Sequence, residues 1–323
     1  FYNFKMAIYN PKMRIDKIKT QSNSVKTQTN RAKTQSNSVK TQTNRGKMRI
    51  YNIKMTINMF KMRIYNIIIL FILFGFSSKV NAQVGIAHEI GVVIGPVMFK
   101  SDYGARNDFG TNINNNGFGI GLVHYLNFSY NSNKRTFFSE HFKVRSEISY
   151  SKSNFKHYGQ YVENNSNSLG VQQLRAMSGS SGLINLGTQL EYSPIKIRDF
   201  ENSIGSFGPY GSIGVQFSSY TSKANSTLGQ LGSSSATFPK YLDPSDGHLY
   251  GFSNESKAVF SIVSSVGTRY KLSALQDLII DFRFQYFSSD WVDGLNPNPE
   301  IHKENRANDW LIWVNLGYIY YLQ

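Results

Sequence analysis

The sequence predicts an all-β fold, an eight-stranded antiparallel transmembrane β-barrel with long outer loops and short periplasmic turns. Three observations predict it. An export signal stands ahead of the folding part of the chain. Eight segments then alternate apolar and polar residues with a period of two, and signals for helix are nearly absent. Long connections alternate with shorter ones along the chain, the asymmetry of a barrel whose two rims differ.

The export signal is Met62–Ala82. Arg63 supplies a positive start, and Ile67–Phe76 is an unbroken apolar run of ten residues. Val80-Asn81-Ala82 places small or modest residues before a cut at Gln83. The run is too short for a membrane-crossing helix, which needs ~20 apolar residues, and it matches the apolar region of a secretory signal. The residues ahead of it repeat: KTQSNSVKTQTNRA at Lys19–Ala32 returns as KTQSNSVKTQTNRG at Lys33–Gly46, and KMRIYNI occurs at Lys47–Ile53 and Lys61–Ile67. The expected organisation is therefore a repetitive basic leader over 1–61 that is not native protein, a signal peptide over 62–82, and a barrel over 83–323.

The net charge of +15 follows that division. Residues 1–61 hold fourteen Lys/Arg and a single acid, Asp16, whereas from Gln83 onward nineteen Lys/Arg balance nineteen Asp/Glu. A basic chain ordinarily points to nucleic acid; here the basicity lies in the leader, and no nucleic-acid partner is expected. The chain has no cysteine, so no disulfide staples an exported domain.

In order, the first strand is read over Ile86–Phe99, with Ile90, Val92, Ile94 and Met98 on one face and Glu89, Gly91 and Gly95 on the other. The second is Phe118–Tyr130, with Phe118, Ile120, Leu122, Leu126 and Phe128 opposite Gly119, Gly121 and Tyr125. The third, His141–Lys156, sets Val144, Ile148 and Tyr150 against Lys143, Arg145 and Glu147. The fourth, Leu183–Tyr192, sets Ile184, Leu186 and Leu190 against Asn185, Gln189 and Glu191. The fifth, Phe207–Ser219, carries Ile213, Val215 and Phe217 on its apolar side. The sixth, Lys257–Tyr270, opposes Phe260, Ile262 and Val266 to Ser261, Ser265 and Arg269. The seventh, Asp277–Phe287, opposes Ile280, Phe282 and Phe284 to Asp281, Arg283 and Gln285. The eighth, Trp310–Leu322, is one continuous apolar face from Trp310 through Leu316 to Leu322. A tilted strand needs ~9–11 residues to cross a bilayer, whereas strands of soluble proteins average ~5–6; these lengths favour the membrane.

The connections read as a polar loop over 100–117, a brief turn near 131–134, a long Asn/Ser/Gly-rich loop over 157–182, an intermediate link over 193–206, the longest loop over 220–256, a short turn near 271–276 and a long last loop over 288–309. If the apolar faces meet lipid, the opposite faces meet the interior, where Glu89, Glu147, Glu191 and Asp281 face Lys143, Arg145, Arg269 and Arg283. An eight-stranded barrel is just wide enough to be filled by side chains, and buried charges are costly unless paired. An interior ion-pair network acting as a plug is expected. Tyr130, Tyr150, Tyr192, Tyr270, Trp310, Tyr318 and Tyr320 fit aromatic girdles at the two interfaces.

No catalytic, cofactor or metal site is predicted. Gly117-x-Gly119-x-Gly121 opens a strand, whereas the dinucleotide fingerprint follows a strand and opens a helix; small residues packing inside a narrow barrel explain it. His88 and His124 fall on the lipid-facing side without a sequence neighbour that marks a dyad. Asp243, Asp246 and His248 read as a turn around Pro244 and Gly247. Asp290, Asp293, Glu300 and Asp309 could bind Ca²⁺ weakly, but a solvated acidic loop is the simpler reading.

HEIGVVIGPVMFKSDYGARNDF (His88–Phe109) with GFGIGLVHYLNFSY (Gly117–Tyr130) resembles a family of small outer-membrane β-barrel proteins of Bacteroidota, especially flavobacteria, and the likeness covers most of Gln83–Gln323. The opening His88-Glu89-Ile90-Gly91 is loosely similar to the outer-membrane barrel subunit of the type IX secretion apparatus. Members of the first family are sometimes labelled glutamate dehydrogenase; this sequence has neither the dinucleotide fingerprint nor the βαβ alternation that label requires. Eight amphipathic strands behind an export signal lead to the expectation of residence in the outer membrane, with the lipid bilayer and periplasmic or surface proteins as partners, and the apolar-aromatic face of the eighth strand resembles the C-terminal signal that the barrel-insertion machinery recognises. The expected function is non-enzymatic: envelope anchor, adhesion surface or component of a secretion or envelope complex. Two alternatives stand beside it, a soluble exported barrel with its apolar face turned inward around an apolar ligand, and a barrel enzyme acting on lipid or peptide.

Overall fold

The computed structural model describes residues 85–130, 135–163 and 166–322. The leader over 1–61 and the signal over 62–82 lie outside the described residues. Eight strands form a closed antiparallel barrel in sequence order: β1 (Ala87–Lys100), β2 (Asn116–Asn127), β3 (Phe142–Lys156), β4 (Met177–Tyr192), β5 (Phe207–Ser226), β6 (Ser256–Ser273), β7 (Gln276–Phe287) and β8 (Trp310–Leu322). Each strand pairs with its chain neighbours, and β8 returns to β1 in a register running from His88↔Leu322 to Lys100↔Trp310. Closure leaves no edge along the paired length of the wall, and where β5 runs past β6 loop residues take over, as when the Ala224 N–H donates to Asn254 Oδ1.

The alternation read from the sequence is the alternation of the wall. Leu122, Ile213, Val215, Ile262, Val266 and Leu316 point outward and are exposed, while Glu89, Lys143, Arg145, Glu147, Asp281 and Arg283 point inward and are buried. A soluble barrel with its apolar face inward is thereby excluded. No helix among the described residues is long and apolar enough to cross a membrane, a test that says nothing of strands.

Three differences from the sequence reading have physical causes. β4 begins at Met177 and β5 ends at Ser226, both beyond the expected limits, because Ser178–Gly182 and Thr221–Asn225 pair across the β4–β5 ladder while being small or polar on both faces. The β2–β3 connection is no brief turn but spans residues 128–141 and carries a short helix, Phe137–His141, whose capping box is made by Thr136 and Ser139. The β4–β5 connection likewise contains a helix, Ile197–Glu201. The short-turn rim is therefore partly covered, and only β6–β7 is joined tightly.

The interior is layered. Toward the rim that holds the β2–β3, β4–β5 and β6–β7 connections lie the charged residues. Above them is an amide and hydroxyl layer, where Ser218 Oγ donates to Asn185 Oδ1 at 2.7 Å and Gln285 Nε2 donates to the same oxygen at 3.0 Å. Toward the long-loop rim an aromatic and aliphatic core takes over, including Phe99, Tyr103, Phe155, Tyr220, Phe287 and Trp313. Glycines make room for it. A Cβ at Gly119 would stand 2.7 Å from the Trp313 ring, so the Gly-x-Gly-x-Gly run seats a tryptophan.

Candidate functional site: the sealed interior and the outer crown

The eight interior charges expected from the sequence fall into two clusters. In the lower one, Glu89 accepts from Lys143 Nζ at 2.6 Å and from Arg269 Nη1 at 2.8 Å, and Arg269 Nη2 reaches Glu191 at 3.0 Å. In the upper one, Arg145 bridges Asp281 at 2.7 Å and Glu147 at 2.9 Å, and Arg283 donates to the other oxygen of Glu147. Tyr125 lies between the clusters, with the Arg269 guanidinium 4.3 Å and the Arg145 guanidinium 5.9 Å from its ring centre.

Sequence reasoning missed three members. Lys271 Nζ and Asp277 Oδ1 are 3.1 Å apart, and both residues are fully buried. They share inward parity with Arg269 and Asp281, so the signal was present at the strand ends. Glu201 gave no such signal, because it enters from the helix between β4 and β5. There it lies 3.5 Å from Lys143 and accepts from Asn127 at 2.7 Å and from the Tyr130 hydroxyl at 2.9 Å. Phe200 and Ile197 of that helix are buried beside it, and together they close the barrel mouth.

The opposite end is a folded crown. Asp102 and Arg106 come from the β1–β2 loop; Asp290, Asp293 and Asp309 come from the β7–β8 loop. Arg106 reaches Asp102 at 2.6 Å, Asp290 at 3.0 Å and Asp309 at 3.4 Å. Asp293 accepts from the Asp102 backbone N–H at 2.6 Å and from the Leu295 N–H at 2.7 Å. Three of these four buried aspartates thus reach one guanidinium, and the fourth is held by backbone N–H groups. Burial, and then the Asp102 carboxylate, push Asp290 up to about 9. Burial first, and then neighbouring aspartates, drive Asp293 and Asp309 well above the ordinary carboxyl range. Burial raises Asp102 too, although Arg106 opposes it. The last loop is thus no solvated acidic loop: Asp290, Asp293 and Asp309 are internal, while Glu300 and Glu304 stay exposed. Among the described residues no group of three or more His, Asp or Glu is placed to hold a metal ion.

Beside this cluster lies a cavity of about 550 Å³ lined by the β1–β2, β3–β4, β5–β6 and β7–β8 loops. Tyr158, Tyr161, Phe238 and Tyr241 give it aromatic walls, and Asp102, Arg106, His157 and Lys240 give it polar ones. His157 Nδ1 accepts from the Gly104 N–H at 2.9 Å. Burial, and then the Lys240 charge, hold its imidazole down to about 3, so the ring is neutral and carries its proton on Nε2.

The remaining histidines take structural roles. His88 and His124 are each other's partners on the outer wall, their nitrogens 3.0 Å apart and their rings stacked at 5.2 Å. Cross-strand pairing makes that contact, which sequence separation hides. His248 packs on Trp291 at 4.0 Å and faces Glu255 at 3.3 Å. Asp246, at φ +45°, takes the tight turn between Ser245 and His248 and accepts from Trp291 Nε1 at 3.0 Å. Asp243 is drawn instead to His302, at 3.6 Å.

No family model matches the sequence, and no curated protein sequence matches it. Solved structures similar to the chain include Ail, the attachment invasion locus protein of Yersinia pestis, in complex with the heparin analogue sucrose octasulfate, at 13% identity, covering 73% of this chain and 99% of that one with a TM-score of 0.36. Neisserial surface protein A is similar at 11% identity, covering 73% and 98% with a TM-score of 0.37. A major outer membrane protein from Thermus thermophilus is similar at 11% identity, covering 73% and 99% with a TM-score of 0.39. Likeness at this level bears on neither site nor activity.

Proposed function

We propose that this chain is an outer-membrane β-barrel with a non-enzymatic role in the envelope, its wall a sealed anchor and its crown of long loops the working surface. The observation that carries the reading is the orientation of the wall: an apolar belt faces outward all round while the charges are inside. Val215 is 62% and Phe260 67% exposed on the outer face, a contiguous apolar surface that water would penalise and lipid would not. On β3 the belt runs from Phe142 to Tyr150, about 26 Å of strand at ~3.3 Å per residue and about 20 Å across a bilayer at a tilt of ~40°. Beyond it β5 turns Ser219, Thr221, Lys223 and Asn225 outward, the polarity expected of a wall that has left the membrane.

The interior supports a structural rather than a conducting role. Charges there are paired or stacked on aromatic rings, and side chains fill both ends. Export by the segment over 62–82 and insertion by the barrel-assembly machinery are part of the same proposal, as is a periplasmic or surface protein partner. The test is the membrane fraction of an expressing cell. The protein is expected to resist carbonate extraction and to migrate faster on a gel before boiling than after. Release by carbonate, with migration unchanged by heat, would overturn the reading.

A further inference from the structure

We propose that the crown cavity is a binding site for a small organic cation, an amine on a flat or aliphatic apolar body, with the body against Tyr158, Tyr161, Phe238 and Tyr241 and the ammonium facing Asp102. The inference goes beyond the envelope reading and does not rest on it.

Size and lining come first. A cavity of about 550 Å³ lies within the ~300–1,000 Å³ of small-molecule sites, which are mostly apolar with a few convergent polar groups. The polar groups here have unused capacity. Asp102 Oδ2 and His157 Nε2 are buried without a hydrogen-bond partner, and both residues line the cavity. His157 is only 8% exposed. Native proteins leave few such groups unpaired, and an unfilled buried acceptor and an unfilled donor in the lining of one cavity suit a ligand carrying a cation and an oxygen acceptor.

Charge then selects the sign. Arg106 is already shared among Asp102, Asp290 and Asp309. Lys240 is held by Asn305 and Glu304. Each base is therefore engaged, whereas Asp102 Oδ2 is an acceptor still unfilled. An incoming anion would find no base unengaged, while an incoming ammonium would find that oxygen. Aromatic faces also attract cations, by about 0.5–2 kcal/mol where solvent is excluded.

The test uses the full chain in non-ionic detergent and three matched probes, tyramine (cation), p-cresol (neutral) and 4-hydroxyphenylacetate (anion), measured by calorimetry. Tyramine is expected to bind with a Kd at or below about 1 mM, with p-cresol at least tenfold weaker and the anion weaker still. Asp102→Asn should cut tyramine affinity about tenfold and leave p-cresol unchanged. Tyr161→Ala, at a wall residue 58% exposed and so tolerant of change, should weaken both; it decides the matter even if the Asp102 variant fails to fold. Equal affinity for the three probes, preference for the anion, or no tyramine binding at all would overturn the proposal and leave a water-filled cavity.

Discussion

Replacing Glu147 by Gln removes one negative charge from the upper interior cluster. The carboxylate serves two guanidiniums, those of Arg145 and Arg283, which are 0% and 1% exposed. Arg145 keeps Asp281 at 2.7 Å. Glu147 is the ion-pair partner of Arg283, whose Nε and Nη2 have no hydrogen-bond partner; Arg283 is left with the Trp313 ring, 4.8 Å away. Breaking a buried pair from one side costs about 3–5 kcal/mol, because the other charge stays buried and uncompensated. The Gln oxygen still accepts one hydrogen bond, which places E147Q near about 3 kcal/mol. Removing both charges, as E147Q/R283M, should be milder than E147Q alone by about 2 kcal/mol. Reversible urea unfolding in lipid vesicles measures both, and Trp313 beside Arg283 is a built-in fluorescence reporter. An E147Q protein within about 1 kcal/mol of the parent, or a double variant no better than the single, would refute the view that these charges compensate each other in a dry interior.

Three further outcomes are expected. Val215→Arg, at mid-belt on β5, should destabilise the barrel in vesicles by about 2–4 kcal/mol, whereas Thr221→Arg on the same face beyond the belt should be close to neutral; two near-neutral costs would place both positions in water. Gly119→Val should displace Trp313, costing about 1–3 kcal/mol by overpacking and shifting its emission, and an unchanged spectrum would show that the ring is not seated there. The crown should loosen with alkali: Asp290 holds its proton up to about 9 in the closed crown against ~3.9 when released, so closure weakens as pH rises across that window. Hydrogen exchange over 288–309, corrected for intrinsic rate, should accordingly report more opening at pH 9 than at pH 5. His157, held neutral by burial and Lys240, acts in the opposite sense and weakens closure only as pH falls below its ordinary ~6.5.

The wall was legible in the sequence because each crossing residue answers to one of two solvents, lipid or interior, and parity records the choice. Where the wall leaves the apolar belt, the record stops. Ser178–Gly182 and Thr221–Asn225 still pair as strands, yet water lies outside and small residues line the inside, so no large apolar side chain marks the alternation. Interior charges were legible for the same reason, and Lys271 and Asp277 extend that parity one step further. Glu201 was not, because a helix carries it into the barrel from a connection. The crown was the least legible part. Asp102 and Arg106 meet Asp290, Asp293 and Asp309 only because barrel closure sets the β1–β2 loop beside the β7–β8 loop, and no local pattern announces a contact across so much chain.

The pairing of β8 with β1 has a consequence for how the molecule is made. His88 and Leu322 are partners, so the last ladder to zip joins residues from opposite ends of the folding chain. Ladders between neighbouring strands cost little loop entropy, and this one costs the most. Until it forms, two raw edges remain, and no intermediate with seven good ladders is at rest in hydrocarbon. The ring is therefore all-or-none at its seam.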